Sequence, residues 1–205
     1  MIQRLPSRCA PVNRSGQLYG SLMWFEILAW ICISYVVISF GEHSIHRFFM
    51  HRKELPQRFM PKQMWIYESH AVLHHGVYYK KFNHEPDEHG RFHNLHLEIM
   101  LNLVVFAPVW LTLMLFNRLG GSILLGMIIL HHLCWNLIHE EMHVPTKTWL
   151  SNNPLYKTLA RYHYLHHKYP GRNFNIVCPL ADHLTRQVAK AKPEDLVAMK
   201  ELNLV

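Results

Sequence analysis

The chain has 205 residues, which suits one domain, and half of them are apolar, so it can fill a sizeable core or cross a membrane. Its formal net charge of +7 fits a membrane face that meets anionic lipid, and no patterned basic helix indicates nucleic-acid binding. The four cysteines lie far apart without a CxxC pair, so the sequence indicates neither a disulfide framework nor a thiolate metal site.

Three apolar segments follow a polar N-terminal tail, residues 1–21. They occupy approximately residues 22–41, 99–116 and 122–139, and each approaches the roughly 20 residues that span a bilayer as a helix. A Gly-Gly pair in the break at residues 117–121 predicts a turn, so we expect the last two segments to form an antiparallel hairpin. The first segment contains one acid, Glu26, which we expect to face protein because a charge is costly in lipid. Buried core helices of a soluble protein are the alternative interpretation.

The distribution of basic residues indicates how this predicted bundle is oriented. If all three segments span, all but four of the 21 Lys and Arg residues lie on one side, in residues 42–98 and 140–205. The positive-inside rule predicts that this side is cytoplasmic, in a bacterial inner membrane or the endoplasmic reticulum. The expected fold is an all-α integral-membrane bundle, formed by residues 22–186, with three to four transmembrane helices and a cytoplasmic helical cap. Residues 187–205 are predicted to form a C-terminal peripheral helix or tail, whose helical pattern opens at Pro193.

Histidine is the most informative residue type in the sequence. Ten of the 18 histidines fall into four clusters, near the span ends or beyond them on the predicted cytoplasmic side: His46 and His51; His70, His74 and His75; His139 and His143; and His163, His166 and His167. Neutral imidazole is the commonest metal ligand, and histidines three or four residues apart share one face of a helix. The clusters therefore predict a metal centre.

The spacing within the clusters indicates two ions. Adjacent histidines such as His166 and His167 diverge by about 100 degrees around an α-helix, so one pair can serve two ions. Ten imidazoles also exceed what one ion can coordinate, whereas about five per ion is a reasonable load. His46 and His51 are five residues apart, so we expect them to flank the site rather than to share one ion.

Other residues near the clusters are candidates for supporting roles. His132 and Asn136 lie on the helical stripe that leads into the third cluster. We expect them either to hydrogen-bond metal ligands and orient them, or to form an interhelical hydrogen-bonded pair. His43, one turn before the first cluster, is a candidate ligand or a helix-end residue. Three acids, Glu42, Glu140 and Glu141, are either acceptors for imidazole N–H groups or solvated side chains. Five further histidines outside the clusters are expected to lie at the surface or to make local hydrogen bonds: His84, His89, His93, His96 and His183.

Three interpretations of the histidines remain open beside a dinuclear centre. The stretch HEEMH matches the HExxH pattern of zinc peptidases, with Glu140 as general base, but a peptidase leaves eight clustered histidines without a role. Zinc that only braces helices is usually four-coordinate, and ten ligands exceed that number. A metal transporter would be expected to place its polar ligands at mid-span rather than at span ends.

The combination of motifs resembles the integral-membrane fatty acid hydroxylase and sterol desaturase superfamily. The boxes H-x4-H, H-x3-H-H, H-x3-H and H-x2-H-H occur in this order around hydrophobic spans, and the last runs into KYPGRNFNIVCPLADHL, similar to the family's closing Asn-Phe segment with a later Asp. The resemblance covers about residues 40–186. It departs in two places: three clear spans occur where four are usual, and the second box has an extra residue in its gap. It therefore supports His70 less directly than His74 or His75.

The resemblance implies a non-haem di-iron site at the cytoplasmic membrane face, with the ten clustered histidines as ligands and no catalytic residue beyond them. Zinc could replace the iron, because it stands above iron in the affinity order. The implied activity is O2-dependent hydroxylation or desaturation at a C–H bond of a lipid from the bilayer. No flavin, dinucleotide or Fe–S motif occurs, so electrons are expected from a redox partner, a ferredoxin or cytochrome with its reductase. Residues of the closing segment expected to position the last box are Asn173, Asn175 and Asp182.

Overall fold

The computed structural model describes residues 14–83, 97 and 99–205, with side chains from residue 22 onward. Its α-helices are α1 (Arg14–Ile45), α2 (Glu54–Phe59), α3 (Met64–Tyr67), α4 (Ile99–Phe116), α5 (Arg118–His143), α6 (Thr148–Ser151), α7 (Pro154–Lys168), α8 (Leu180–Leu184) and α9 (Pro193–Glu201). Two π-helical segments, His46–Met50 and Glu68–Tyr78, and a 3-10 turn, Pro61–Gln63, complete these elements. The described ranges contain no strand, which confirms the all-α class. Residues 1–13 of the predicted tail lie outside the described ranges.

Three helical stretches are long and apolar enough to cross a membrane, as predicted: Leu22–Met50, Ile99–Phe116 and Arg118–His143. Their outward faces carry exposed large apolar side chains such as Phe25, Val104 and Leu133. Such continuous apolar surface suits contact with lipid, because water would be ordered against it at a cost in free energy. The middle span, α4, contains Pro108 but stays helical through Phe116.

Helices α1 and α5 run in the same direction, with α4 antiparallel to α5. At the start of α5, Asn117 Nδ2 donates to Glu26 Oε1 of α1 at 3.4 Å. Toward the other end, His131 Nε2 of α5 lies 3.8 Å from Glu42 Oε2 of α1. Because the two helices stay in register over this length, both bring their C-terminal histidines to the same end of the bundle.

The expectation that Glu26 faces protein is wrong, because its side chain is exposed. Its partner Asn117 lies in the turn between α4 and α5. Glu26 therefore lies level with that turn, at the end of the bundle, and not at mid-span. A carboxylate at the end of a span can reach water, so it needs no buried partner.

The hairpin turns at Asn117 alone, and the prediction that the glycines form the turn is wrong. Asn117 caps α5, since its side-chain oxygen accepts from the backbone N–H of Gly120 at 2.7 Å. The helix therefore restarts at Arg118, and the Gly-Gly pair lies inside its first turn. Both glycines are buried there, and a Cβ at Gly120 would lie 2.6 Å from the Trp30 indole. The pair serves close helix packing, as small residues do between membrane helices.

Replacing Gly121 with alanine is expected to destabilise the bundle by about 1–3 kcal/mol, because its Cβ would lie 2.7 Å from the backbone nitrogen of Met114 on the neighbouring helix. Backbone cannot move aside as a flexible side chain can. The matched control is Gly126→Ala in the same helix, where no atom lies within 4 Å of the added Cβ. Unfolding midpoints in detergent would measure both, and an equal stability of the two variants would contradict the packing role.

The remaining segments form a helical layer on the histidine-bearing end of the bundle. Its apolar core joins Trp135 and Met142 of α5 to Leu159 of α7 and Met199 of α9. Helix α9 is tied to the end of α7 by Tyr169, whose hydroxyl donates to the buried carboxylate of Asp195 at 2.9 Å. This layer holds α7, and therefore the last histidine cluster, against the span ends.

Candidate metal centre

Nine of the ten clustered histidines form two adjoining groups, and the tenth, His167, lies beside them. The first group consists of His46, His51, His70, His75 and His166, and the second consists of His74, His139, His143 and His163. Within each group, the potential ligand atoms all lie within 4.8 Å of one another. His167 lies against the second group, with its Nε2 3.2 Å from Nε2 of both His74 and His163. It also forms a set with His74 and His75, and this set joins the two groups.

Two π-helical segments explain how histidines five residues apart reach one point. In an α-helix, residues at i and i+5 would be rotated by about 140 degrees. A π-helix has i→i+5 hydrogen bonds, as His51 N–H makes to the His46 carbonyl at 3.1 Å, and so aligns such residues. His46 and His51 therefore belong to one group, whereas the α-helical spacing predicts that they only flank the site.

The second π-helical segment gives His70 a defined place. Its Nε2 lies 2.8 Å from Nε2 of His46 and 3.2 Å from Nε2 of His75, which is five residues later. The extra residue in the second box is thus accommodated by the wider helical turn of Glu68–Tyr78. The geometry places His70 in the first group as closely as His75.

The adjacent histidines divide between the groups, in the manner that their helical spacing predicts. His166 lies with the first group, and Nε2 of His51 is 2.9 Å from its Nε2. The ring of His167 stands at 89° to that of His166 and contacts the second group. In the other pair, His75 lies in the first group and His74 in the second. Each pair therefore faces two points.

Backbone carbonyls fix the orientation of three rings. Nδ1 of His143 donates to the carbonyl oxygen of Phe82 at 2.6 Å, and Nδ1 of His166 donates to that of Arg172 at 2.7 Å. His46 makes the same bond through Nδ1 to the carbonyl of Phe174. A carbonyl can only accept, so the proton of a neutral ring is on Nδ1 and Nε2 presents a lone pair to the cluster. Such bonds are the usual outer support of metal-bound histidine.

The protonation of the cluster fits a bound cation. Burial lowers the pKa of His166 to about 4. Burial first, and the neighbouring imidazoles second, hold the pKa well below its usual value for four further rings: His70, His75, His163 and His167. These imidazoles are therefore neutral near pH 7, and their Nε2 atoms, 2.8–3.2 Å apart, are close enough to share a bound cation. The donor set consists of neutral nitrogens, which suit iron or zinc.

The closing segment braces the site through a buried carboxylate. Asp182 Oδ2 accepts from the Tyr162 hydroxyl at 2.9 Å and from Asn175 N–H at 2.7 Å. Its Oδ1 lies 2.7 Å from Nδ1 of His43. Burial and the Asp182 charge raise the pKa of Tyr162, which keeps its proton available for donation. Asp182 thus links α1, the middle of α7 and the segment whose Phe174 and Arg172 carbonyls orient His46 and His166.

Several supporting residues take roles that the sequence left open. His132 bonds Asn102 of α4 at 3.1 Å and Asn136 of its own helix at 3.2 Å. Of the two predicted roles, it therefore takes the interhelical hydrogen bond. His43 is the partner of Asp182 and belongs to neither group. His183 is exposed, as expected. The other four single histidines, His84, His89, His93 and His96, lie outside the described residues.

The carboxylates proposed as imidazole partners mainly meet other groups. Glu140 pairs with the Lys147 ammonium at 3.2 Å. Glu141 accepts from the backbone N–H of Lys147 at 2.8 Å. Glu42 accepts from the backbone N–H of Ile176 at 2.8 Å and is 3.8 Å from His131. In HEEMH, the two histidines lie with two further imidazoles, His74 and His163.

Replacing His70 with alanine is expected to weaken metal binding at the first group by at least about 10-fold, as much as His75→Ala does, because both rings contribute an Nε2 to that group. Metal content after dialysis against a graded chelator would measure it. Metal retention equal to that of His183→Ala, an exposed control, would contradict a ligand role for His70.

Comparison of the chain with known protein families, curated proteins and solved structures finds no match. What the chain does is therefore inferred from its own residues. These are ten converging histidines and three candidate membrane spans.

Proposed function

We propose that the chain is a membrane-bound non-haem di-iron oxygenase that hydroxylates or desaturates a lipid, with O2 and electrons from a separate donor. The observation that carries this proposal is the arrangement of nine imidazoles in two adjoining groups, with His167 joined to both through His74 and His75. One ion cannot use ten nitrogens, and two ions in neighbouring groups can act on one substrate.

A pair of iron ions, when bound, supplies the redox chemistry that activates O2, which zinc cannot do. In hydroxylation, one oxygen atom enters the C–H bond and the other leaves as water, with two electrons from the donor and two protons from solvent. In desaturation, two substrate hydrogen atoms, two electrons from the donor and two protons from solvent reduce both oxygen atoms to water, and a C=C bond remains. The residues of the chain hold and orient the site: carbonyl bonds keep each Nε2 of His46, His143 and His166 pointed inward.

Apolar cavities at the span ends support a lipid substrate. A cavity of about 530 Å³ lies against α4 and is lined by Phe49, Trp65, Val104 and Ile45, among others. Ile45 also lines a cavity of about 20 Å³ at His46, whose walls include Glu42, Asn102 and His131. The apolar walls of the larger cavity, beside a lipid-facing helix, suit an acyl or isoprenoid chain.

The proposed orientation puts the metal centre at the cytoplasmic face, on the side with most of the Lys and Arg residues. Three of the ten rings, His51, His75 and His167, are only half-buried. A redox partner, a ferredoxin or cytochrome with its reductase, would approach from this side. Because these rings reach the surface, electrons could pass to the site from a separate protein without any flavin on this chain.

Metal and lipid analysis test this proposal together. The protein, purified aerobically in detergent after growth with iron, is expected to hold two metal ions per chain, with iron active and zinc inactive as its replacement. Lipids from expressing cells are expected to contain an oxidised product that depends on O2 and on a reductase. Zinc at two ions per chain, with unchanged lipids despite an added reductase and iron loading, would contradict the proposal and favour structural zinc.

A further inference from the structure

A polar cavity of about 290 Å³ lies beside the first group of histidines. Its walls include His51 of that group, the cations Arg47 and Arg52, and the polar side chain of Gln187. Within the described part of the chain, no acidic residue lines it. The cavity therefore combines a concentrated positive charge with direct access to a candidate metal ligand.

The two arginines are held in place without being neutralised. The Arg47 guanidinium lies over the rings of Phe48 at 5.1 Å and Phe174 at 5.8 Å, and that of Arg52 lies 5.5 Å over Phe48. Neither forms an ion pair with a carboxylate of the described residues. Stacking on aromatic faces orients a guanidinium but leaves its N–H groups available. Those N–H groups match the oxygen atoms of a carboxylate or phosphate.

The chain segment that carries His46 and His51 borders both the polar cavity and the larger apolar one. His51 lines the polar cavity, and Ile45 and Phe49 line the apolar cavity of about 530 Å³. A molecule that used both cavities would have an anionic end and an apolar chain. The carbon atoms next to its anionic end would then be those nearest the first group.

We infer that Arg47 and Arg52 bind the phosphate or carboxylate group of the lipid substrate, so that oxidation occurs close to the headgroup and not at the distal end of the chain. The assignment of this anion to a substrate rests on the proposed function. The anion site itself rests only on the two guanidinium groups and the cavity that they line.

Binding of three probes to the full-length, metal-loaded protein in a neutral detergent tests the site without any need for turnover. Hexadecyl phosphate is expected to bind wild type at least about 10-fold more tightly than hexadecanol, and Arg47→Gln or Arg52→Gln should each weaken it about 10-fold. Arg58→Gln is the matched control, because Arg58 lies over Phe59 in α2 and lines no part of the cavity.

Measuring the metal content and the unfolding midpoint of each variant shows whether its fold is intact. Arg47→Lys keeps the positive charge and is expected to retain part of the binding.

Inorganic phosphate distinguishes the sources of the anion. Weak binding of phosphate alone, with strong binding of hexadecyl phosphate, supports a lipid headgroup. Equal affinity for both would overturn the lipid assignment. Equal binding of hexadecyl phosphate and hexadecanol, or an equal effect of the three Gln substitutions, would overturn the anion site even if lipid oxidation is observed. Selective hexadecyl phosphate binding without any lipid product would instead support the site and count against the oxygenase.

Discussion

Replacing His166 with alanine is expected to lower the metal content from two ions per chain towards one and to reduce lipid oxidation by at least about 100-fold. His166 provides an Nε2 to the first group, 2.9 Å from that of His51, and is oriented by the Arg172 carbonyl. The second group contains none of these contacts, so its ion should remain. Elemental analysis of the purified protein and product analysis of cell lipids measure the two effects.

The control for this variant is His183→Ala, which removes an exposed histidine from the same closing region. It should keep both ions and full activity. The mirror variant His163→Ala should remove the ion of the second group instead, since His163 Nε2 lies 3.1 Å from that of His143. If His166→Ala and His163→Ala each retained two ions, the division of the ten histidines into two metal sites would be wrong.

Replacing Asp182 with alanine is expected to destabilise the protein by about 3–5 kcal/mol, the largest stability effect among the variants considered. Its buried carboxylate contacts His43, the Tyr162 hydroxyl and the Asn175 N–H. Removing it leaves three polar groups in the interior without their acceptor, and such groups are costly when water cannot reach them. Chemical or thermal unfolding in detergent measures the loss.

Variants of the partners separate the network from simple loss of volume. Tyr162→Phe removes one hydrogen bond and should cost about 0.5–1.5 kcal/mol. The double variant Asp182→Ala, Tyr162→Phe should be less destabilised than the sum of its single variants, because the second substitution removes a group that the first has left unpaired. Additive effects, or an Asp182→Ala variant as stable as wild type, would contradict a buried bracing role.

The convergence of the clustered histidines was largely predictable from the sequence, whereas the helical geometry was not. The histidine boxes identify which side chains converge, because residue type and near-helical spacing are both visible in a sequence. The position of His51 beside His46, and of His70 beside His75, depends on π-helical turns. An assumed α-helical repeat rotates such residues apart, so spacing alone predicts the wrong relation.

Long-range contacts account for most of what the sequence could not predict. Glu42 bonds Ile176 across 134 residues, and His43 meets Asp182 across 139. No local pattern encodes such partners, so Glu42 could only be proposed as a partner of imidazole. The interpretation of the glycine pair as a turn is wrong for the same reason: Trp30, which requires a small residue at Gly120, lies in another helix. Three spans and the all-α class, in contrast, follow from hydrophobic length alone.

The separation of the histidines along the chain also sets the order in which the protein can be assembled. His51 meets His166 across 115 residues, and His143 meets His163 only after α7 has followed α5. A partly synthesised chain that has inserted all three spans therefore still lacks His166 of the first group and His163 of the second. Metal capture coupled to folding must then be a late event in biosynthesis, after the ribosome has released α7, and truncation before that helix should give a membrane-inserted but metal-free product.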